Sequence, residues 1–271
     1  MRKYAIIYNW VLACRYDIKI KGVELLDGGQ PRLYLPNHQA EVDPQLLVSE
    51  IMKIHNVSPM ISAKFYNLPI VNSLLKKLDA VPISDLDEGV RDVSVMDNIR
   101  NSASIAFAKG HSLVLYPSGQ LSTQGYEKLF NKQSAYALTN EAADNVKIIG
   151  VRMHGLWGSM WSRAWIGVSP PFFKTYLLAV WFFLSNFIFF IPKRSIEIEF
   201  TDLTKEAKEK AKSLTRREFN AYLESFYNEK GEEQIRFIKH HFLSPNLNRK
   251  LPKNISGVIN KEVKSIKFTK I

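Results

Sequence analysis

The sequence predicts an α/β fold in which helices flank a mixed sheet. Between residues 31 and 200, short apolar runs that suit strands alternate with longer stretches that suit helices. Of the 271 residues 46% are apolar, which is enough for a substantial core and argues against global disorder. The single cysteine, Cys14, excludes an internal disulfide framework and suits a reducing, intracellular setting.

The elements follow in order along this region. A strand over residues 33–35 ends at Pro36, and the next helix, over residues 44–54, has Asp43 as its expected N-cap and Pro44 at its first position. Two further helices are predicted over residues 90–109, ending at Gly110, and over residues 133–143. The other predicted strands cover residues 60–62, 80–83, 113–116, 147–153, 164–168 and 196–200.

Residues 175–191 form an uncharged hydrophobic segment, with Lys174 before it and Lys193 after it. A full membrane span needs about 20 apolar residues, with a lower limit of roughly 17, so the segment is marginal for a span. Its aromatic residues suit the bilayer interface, where an in-plane helix would contact anionic headgroups. We predict a membrane-associating helix here, with a single span and a buried core helix as the alternatives.

The chain divides into four predicted regions. Residues 1–30 are expected to hold an N-terminal anchoring helix, for which a signal peptide and a core helix are the alternatives. Residues 31–200 form the α/β domain, and residues 201–244 form a charged extension that is helical from residue 204 to residue 242. Residues 245–271 form a basic tail.

A histidine and an aspartate at the first strand-to-helix junction are the sharpest chemical feature. A general base needs an exposed imidazole whose second nitrogen is oriented by a carboxylate. Asp43, five residues after His38, can reach back to that ring only where the chain turns, as it does between a strand and a helix. The spacing therefore predicts a catalytic dyad, although an N-cap role would explain Asp43 equally well.

A turn after the strand over residues 113–116 is the second candidate. Pro117, Ser118 and Gly119 follow Tyr116 directly, and such a turn can offer backbone amides and hydroxyls to a phosphate or an oxyanion. The same residue types are common in ordinary turns, so taken alone they favour no function.

Together the two features resemble the glycerolipid acyltransferase family, which includes the lysophosphatidic acid acyltransferases. The family motif Asn-His-x4-Asp is matched by Asn37, His38 and Asp43, and the later motif Phe-Pro-Glu-Gly by residues 116–119. The chain looks closest to the acyltransferase domain of the bacterial 2-acylglycerophosphoethanolamine acyltransferase / acyl-ACP synthetase, through residues 122–125, 133–135 and 151–155.

The resemblance implies an enzyme that needs no metal or other cofactor. The dyad would deprotonate the hydroxyl of a lysophospholipid or related membrane lipid, which then attacks an acyl thioester of acyl carrier protein or of coenzyme A. Because the ligase domain of the bifunctional relatives is absent, a separate acyl-activating ligase is an expected partner.

The positions that hold phosphate in the family depart from its pattern. Ser118 stands in place of a glutamate, and Gln120 where an arginine is common, so a phosphomonoester acceptor is expected to be used poorly. Lys64, Arg91 or Arg152 could supply the missing charge. Substrate contacts are expected from Asn37, Lys64, Tyr116, Pro117, Ser118, Gly119, Gln120 and Arg152.

Two other functions stay open. The first is non-catalytic lipid binding or membrane tethering on a diverged acyltransferase fold, which the neutral Ser118 and Gln120 favour. The second is nucleic-acid binding through the net charge of +11, but no nucleic-acid-binding motif accompanies that charge, so anionic lipid is the expected partner. The expected location is the cytoplasmic face of the cell membrane, with peripheral or monotopic attachment.

Overall fold

The computed structural model describes residues 2–67, 69–83 and 93–255, which form one seven-stranded sheet flanked by helices. The strands are β1 (Tyr16–Lys21), β2 (Arg32–Pro36), β3 (Val57–Ser62), β4 (Val81–Ile83), β5 (Ser112–Val114), β6 (Lys147–His154) and β7 (Arg194–Asp202). Their spatial order is β1-β7-β6-β2-β5-β3-β4, and neighbours run parallel except for β6 and β7. The predicted mixed α/β fold is therefore confirmed.

The helices lie on both faces of this sheet. They are α1 (Arg2–Arg15), α2 (Asp43–Ile51), α3 (Ala63–Tyr66), α4 (Pro69–Lys77), α5 (Val93–Ala108), α6 (Ser134–Asn140), α7 (Arg163–Ile166), α8 (Phe172–Ser185), α9 (Thr204–Ser213) and α10 (Arg216–Tyr227). A short 3₁₀ helix covers Val23–Leu26.

The central strand β2 is buried on both faces, and Leu33, Tyr34 and Leu35 each have 0% of their surface exposed. Leu33 and Leu35 pack into the core that contains residues of α5, α6, α9 and α10. Tyr34 packs into the opposite core, with residues of α1 and α2, because successive side chains of a strand point to opposite faces. The loop that carries His38 therefore leaves the sheet at its central strand, which is fully buried.

The helix expected within residues 1–30 occupies only the first half of that region. It ends at Arg15, and β1 follows at once as an edge strand parallel to β7. The strand reads Tyr-Asp-Ile-Lys-Ile-Lys, and this alternation of apolar and charged residues is the period of two that indicates a half-buried strand. The division of the chain into four regions remains a prediction.

The strand predicted over residues 164–168 is wrong. These residues lie mostly in α7, which ends at Gly167 in the left-handed conformation, with φ of +84°. The amide of Gly167 donates to the carbonyl of Arg163 and closes the turn. A short apolar run does not distinguish a strand from a buried helical turn, and the glycine decides the case here.

The hydrophobic segment is shorter as a helix than the sequence indicated. Helix α8 has 14 residues and ends at Ser185, and Asn186 after it is fully buried. The Asn186 amide donates to the carbonyl of His240, and its oxygen accepts from the amide of Phe242. No helix within the described part of the chain is long and apolar enough to cross a bilayer, so the alternative of a single span is not supported.

The charged extension is helical only as far as Tyr227. Residues 229–249, called the C-terminal strap below, have no regular secondary structure, although helix was predicted to residue 242. The strap instead runs over the protein by backbone hydrogen bonds, among them Glu233 N–H to Gly125 and Arg236 N–H to Trp157. The basic tail was predicted over residues 245–271, and its part after residue 255 lies outside the described residues.

Candidate active site

His38 and Asp43 meet at the junction of β2 and α2. The Nδ1 atom of His38 lies 3.1 Å from Oδ2 of Asp43. The same oxygen accepts the backbone N–H groups of Gln39 at 2.6 Å and Ala40 at 2.9 Å. The carboxylate therefore folds the short loop around itself, which is the turn that a separation of five residues requires.

The expected N-cap role of Asp43 is wrong. Asp43 is the first residue of α2, and its carboxylate accepts amides of the preceding loop rather than amides of the helix. Pro44 sits in the first turn, where it has no N–H that would need a partner. The Asp43 side chain thus does not cap the helix, and its hydrogen bonds go to the ring of His38 and to the loop.

Burial and charge set the protonation of the pair. Asp43 is completely buried, and burial raises its pKa although the hydrogen bond with His38 opposes this. Burial lowers the pKa of His38, but the hydrogen bond and charge of Asp43, together with the charges of Glu41 and Glu127, raise the pKa above its ordinary value. Because Oδ2 already accepts two amides, Nδ1 carries the proton and Nε2 is the basic nitrogen. The His38 side chain keeps 14% of its surface exposed.

The turn after β5 lies against the dyad through Tyr116, whose ring centroid is 4.3 Å from that of His38. Gly119 has a φ of +60°, and its amide donates to the carbonyl of Tyr116 at 3.0 Å. Ser118 is buried, and its hydroxyl donates to the carbonyl of Gln120. The Ser118 hydroxyl also forms a hydrogen bond with the Glu127 carboxyl group, so this hydroxyl and the Gly119 amide, both expected to meet substrate, already have partners within the protein.

The other expected substrate ligands lie in different surroundings. Asn37 is buried and joins β2 to β6, since its side chain exchanges two hydrogen bonds with the backbone of Met153. Arg152 forms salt bridges with Glu199 and Glu229, so its charge is compensated and we no longer expect it to hold a phosphate. Lys64 belongs to α3, but its side chain is outside the described structure, as is Arg91.

Several residues at the site were not found from the sequence. The Glu127 carboxylate accepts the backbone N–H of His38, and Ser122 donates to the carbonyl of His38. Glu233 in the C-terminal strap accepts from the side chain of Gln39 at 2.7 Å. Each contact joins segments far apart in the chain, and no local pattern in the sequence indicates such a contact.

One cation also lies beside the turn. The Nζ atom of Lys132 lies close to Gly119, since a Cβ atom added to this glycine would be 3.8 Å from it. Burial lowers the pKa of this lysine. Lys132 is nevertheless an exposed residue. Within the described residues, no group of three His, Cys, Asp or Glu side chains could hold a metal ion.

The match to a family model places this protein among the acyltransferases. The chain belongs to the Acyltransferase family, whose model matches residues 17–154, just over half of its length.

A solved structure with a similar fold is the 1-acyl-sn-glycerophosphate (LPA) acyltransferase, PlsC, from Thermotoga maritima. The TM-score is 0.51 at 16% sequence identity, and the match covers 84% of this chain and 76% of that one. At this identity the likeness shows the fold. A comparison with curated protein sequences finds no match.

Proposed function

We propose that this acyltransferase moves a fatty acyl group from an acyl thioester to the hydroxyl of a lysophospholipid or a related membrane lipid. The observation that carries the proposal is the contact of 3.1 Å between His38 and Asp43, in a chain of the Acyltransferase family with a PlsC-like fold. The donor is acyl carrier protein or coenzyme A thioester, and a separate ligase would supply it.

The chemistry needs one base and no cofactor. Nε2 of His38 takes the proton of the acceptor hydroxyl, and the oxygen attacks the thioester carbonyl. As the tetrahedral intermediate collapses, the carbon–sulfur bond breaks, and the leaving thiolate takes the proton back from Nε2. Asp43 keeps the ring in the productive tautomer and stabilises the imidazolium, because its buried carboxylate accepts from Nδ1.

The acceptor is proposed to reach the dyad from a membrane surface. Helix α1 and the segment from α8 to residue 190 carry an exposed apolar face, consisting of Ile6, Ile7, Trp10, Leu177, Trp181, Leu184, Phe187, Phe189 and Phe190. Trp10 contacts Phe189, so the two parts are continuous. An exposed apolar surface of this kind suits a bilayer interface, and Lys174 and Lys193 beside it suit anionic headgroups.

Helix α8 also connects this apolar face to the dyad. Phe172, in its first turn, packs against Trp161 at 5.8 Å between ring centroids. The carbonyl of Trp161 accepts the amide of Glu41, within the loop between His38 and Asp43. A lipid at the apolar face would thus lie near the base, with attachment peripheral or monotopic at the cytoplasmic side of the membrane.

The turn favours an acceptor without a phosphomonoester. Lys132, which lies beside the turn, is an exposed point charge and lacks the planar fork with which arginine binds phosphate. We expect a phosphodiester lysophospholipid to be preferred to lysophosphatidic acid. Gln120→Arg should raise the ratio of kcat/KM for lysophosphatidic acid over the phosphodiester, whereas Lys132→Met should lower it. Strong wild-type activity on lysophosphatidic acid would contradict this preference.

Purified protein supplied with a panel of lysophospholipids and both donor types tests the function itself. Wild type should form diacyl product, and His38→Ala should lose about 10² to 10⁴ in rate while remaining folded. His111→Ala, which changes a histidine near Asp79 instead, is the matched control and should keep its turnover. Lipid binding by wild type without turnover on any acceptor would favour the alternative of a non-catalytic tether.

A further inference from the structure

Glu127 is a buried carboxyl group that the reaction described above does not use. It lies in the loop between β5 and α6, with 3% of its surface exposed. Its Oε2 atom accepts the backbone N–H of His38 at 3.0 Å. The carboxyl group thus contacts the catalytic residue through the backbone, whereas Asp43 contacts it through the ring.

Ser122 holds the other side of the same residue. Its amide donates to the carbonyl of His38 at 2.7 Å, and its hydroxyl lies 2.9 Å from that carbonyl. The same hydroxyl is 2.8 Å from Oε2 of Glu127. Both peptide groups of His38 are therefore held by one loop, and Ser122 joins the two contacts to each other.

The loop is itself anchored where Glu127 stands. The amide of Glu127 donates to Oδ1 of Asn228, and the side-chain amide of Asn228 donates back to the carbonyl of Glu127, at 2.8 Å and 2.9 Å. Asn228 directly follows α10, whose last residue, Tyr227, donates its hydroxyl to the carbonyl of Leu35 in β2. The backbone of Glu127 is thus fixed by a helix that is itself attached to the central strand.

We propose that Glu127 is a positioning residue for acyl transfer, which fixes the backbone of His38 and places a second carboxyl group beside the dyad. The inference rests on the proposed function of His38 as the base. In the family pattern a glutamate occupies the position of Ser118. Glu127, in the same loop, would provide a carboxyl group near the dyad in this chain.

Glu127 affects His38 in two ways, through its hydrogen bond to the backbone and through its charge. Burial raises the pKa of Glu127 to about 7, although the hydrogen bond from the His38 amide opposes this. When ionised, Glu127 raises the pKa of His38. The titratable groups that face this pair are Asp43 and Glu41 in the dyad loop, Tyr116 in the turn and Tyr227 on α10.

Two substitutions separate the hydrogen bond from the charge. Glu127→Gln keeps an oxygen within reach of the His38 amide but removes the charge, so kcat at high pH should fall less than in Glu127→Asp. The acid limb of kcat/KM should move to lower pH, because His38 loses a neighbouring negative charge. Glu127→Asp keeps the charge but is too short to reach the amide, so kcat should fall about tenfold or more with little change in KM.

A direct measurement on His38 makes the test independent of turnover. Its imidazole resonances can be followed by NMR as the pH is varied, and His38→Gln identifies them by their absence. The pKa of His38 should fall in Glu127→Gln and change little in Glu127→Asp. If wild type transfers no acyl group, the proposed function fails, while this titration still decides whether Glu127 acts on His38.

Glu224→Gln is the matched control. Glu224 also accepts backbone amides of the same loop, from Leu129 at 2.7 Å and Phe130 at 3.3 Å. It should cost stability without moving the His38 titration or the pH profile. Equal shifts in Glu224→Gln and Glu127→Gln would overturn the proposal, as would full kcat in a folded Glu127→Asp. Should Glu127→Gln fail to fold, Glu127→Asp alone decides the hydrogen bond.

Discussion

At the scale of single residues, one carboxylate oxygen organises the dyad. Oδ2 of Asp43 receives Nδ1 of His38 and two loop amides, so a single side chain sets both the ring and the path of the backbone. An N-cap would receive helix amides instead, and a serine could replace it. The proposed catalytic role of Asp43 and the stability of the loop therefore depend on the same side chain.

Asp43→Ser should consequently lose both activity and stability. A serine hydroxyl cannot reach the His38 ring while accepting two loop amides, and each buried amide left without a partner costs about 1 to 3 kcal/mol. Urea unfolding and steady-state turnover measure the two losses. Asp202→Ser is the control, since Asp202 accepts the amide of Thr204 at the exposed start of α9, where serine serves as well. Recovery of stability in Asp43→Ser would restore the N-cap interpretation.

Glu127 makes the stability of the protein depend on pH. Its pKa rises from 4.5 in an unfolded chain to about 7 in the fold, so the folded state binds its proton more tightly. The resulting stability is complete below pH 4.5 and is lost as the pH rises through 7. Glu127→Gln has no carboxyl group and avoids this loss. The free energy of unfolding of the variant, relative to that of wild type, should therefore increase by up to about 3 kcal/mol between pH 5 and pH 8. Urea midpoints at the two pH values measure the difference, and a constant difference would contradict the shift.

At the scale of elements, the C-terminal strap completes the site from outside the residues that the family model matches. Glu233 accepts from the Gln39 side chain at 2.7 Å and from the amide of Gly155 at 2.8 Å. The strap packs so closely against Gly125 that no side chain fits there, because a Cβ atom at this position would lie 2.4 Å from the carbonyl oxygen of Glu233. The strap thus ties the dyad loop to the end of β6.

Removing the Glu233 carboxylate should therefore affect the dyad loop. We expect Glu233→Ala to destabilise the fold by about 1 to 3 kcal/mol, because buried donors lose their acceptor, and to lower turnover through the loss of order at Gln39. Thermal unfolding and kcat are the measurements. Glu232→Ala removes the neighbouring exposed carboxylate and should change neither quantity appreciably. Turnover unchanged in Glu233→Ala would mean that the strap only stabilises the fold.

At the scale of the whole molecule, the exposed apolar residues are concentrated on α1, on α8 and on the turn after α8. Trp10 is 56% exposed and Trp181 is 60% exposed, although each could have been buried in a core. The two helices share one side of the sheet, since residues of both pack into the same core. The exposed apolar residues of this shared side form the face at which the proposed membrane contact would occur.

The double change Trp10→Ser and Trp181→Ser should weaken binding to vesicles. Burying one large apolar side chain contributes about 1.5 to 3 kcal/mol, so losing two should reduce the partition coefficient about a hundredfold or more. Sedimentation with anionic vesicles measures this. Ile105→Ser, an exposed apolar residue of α5 on the opposite side of the sheet, should bind like wild type. Equal loss in the control would show that binding is not confined to the proposed face.

Local patterns in the sequence predicted much of the fold and both residues of the dyad. The strands over residues 33–35, 60–62 and 147–153 follow from apolar runs bounded by turns, and their interactions with the sheet only extend them. His38 and Asp43 are five residues apart, so a strand-to-helix turn alone brings them together. These features depend on interactions between residues close in the chain.

Tertiary structure alone decided the remainder of the site. Glu127 and Glu233 reach the dyad loop across long separations in sequence, and Arg152 is occupied by partners on β7 and beyond α10. Which amides and charges remain for a substrate depends on hydrogen bonds between distant segments, and hydrophobic periodicity carries no information about those bonds. The sequence by itself therefore determined the position of the candidate base, His38. The packing of the loop between β5 and α6, of helix α10 and of the strap decided which contacts hold that residue in place.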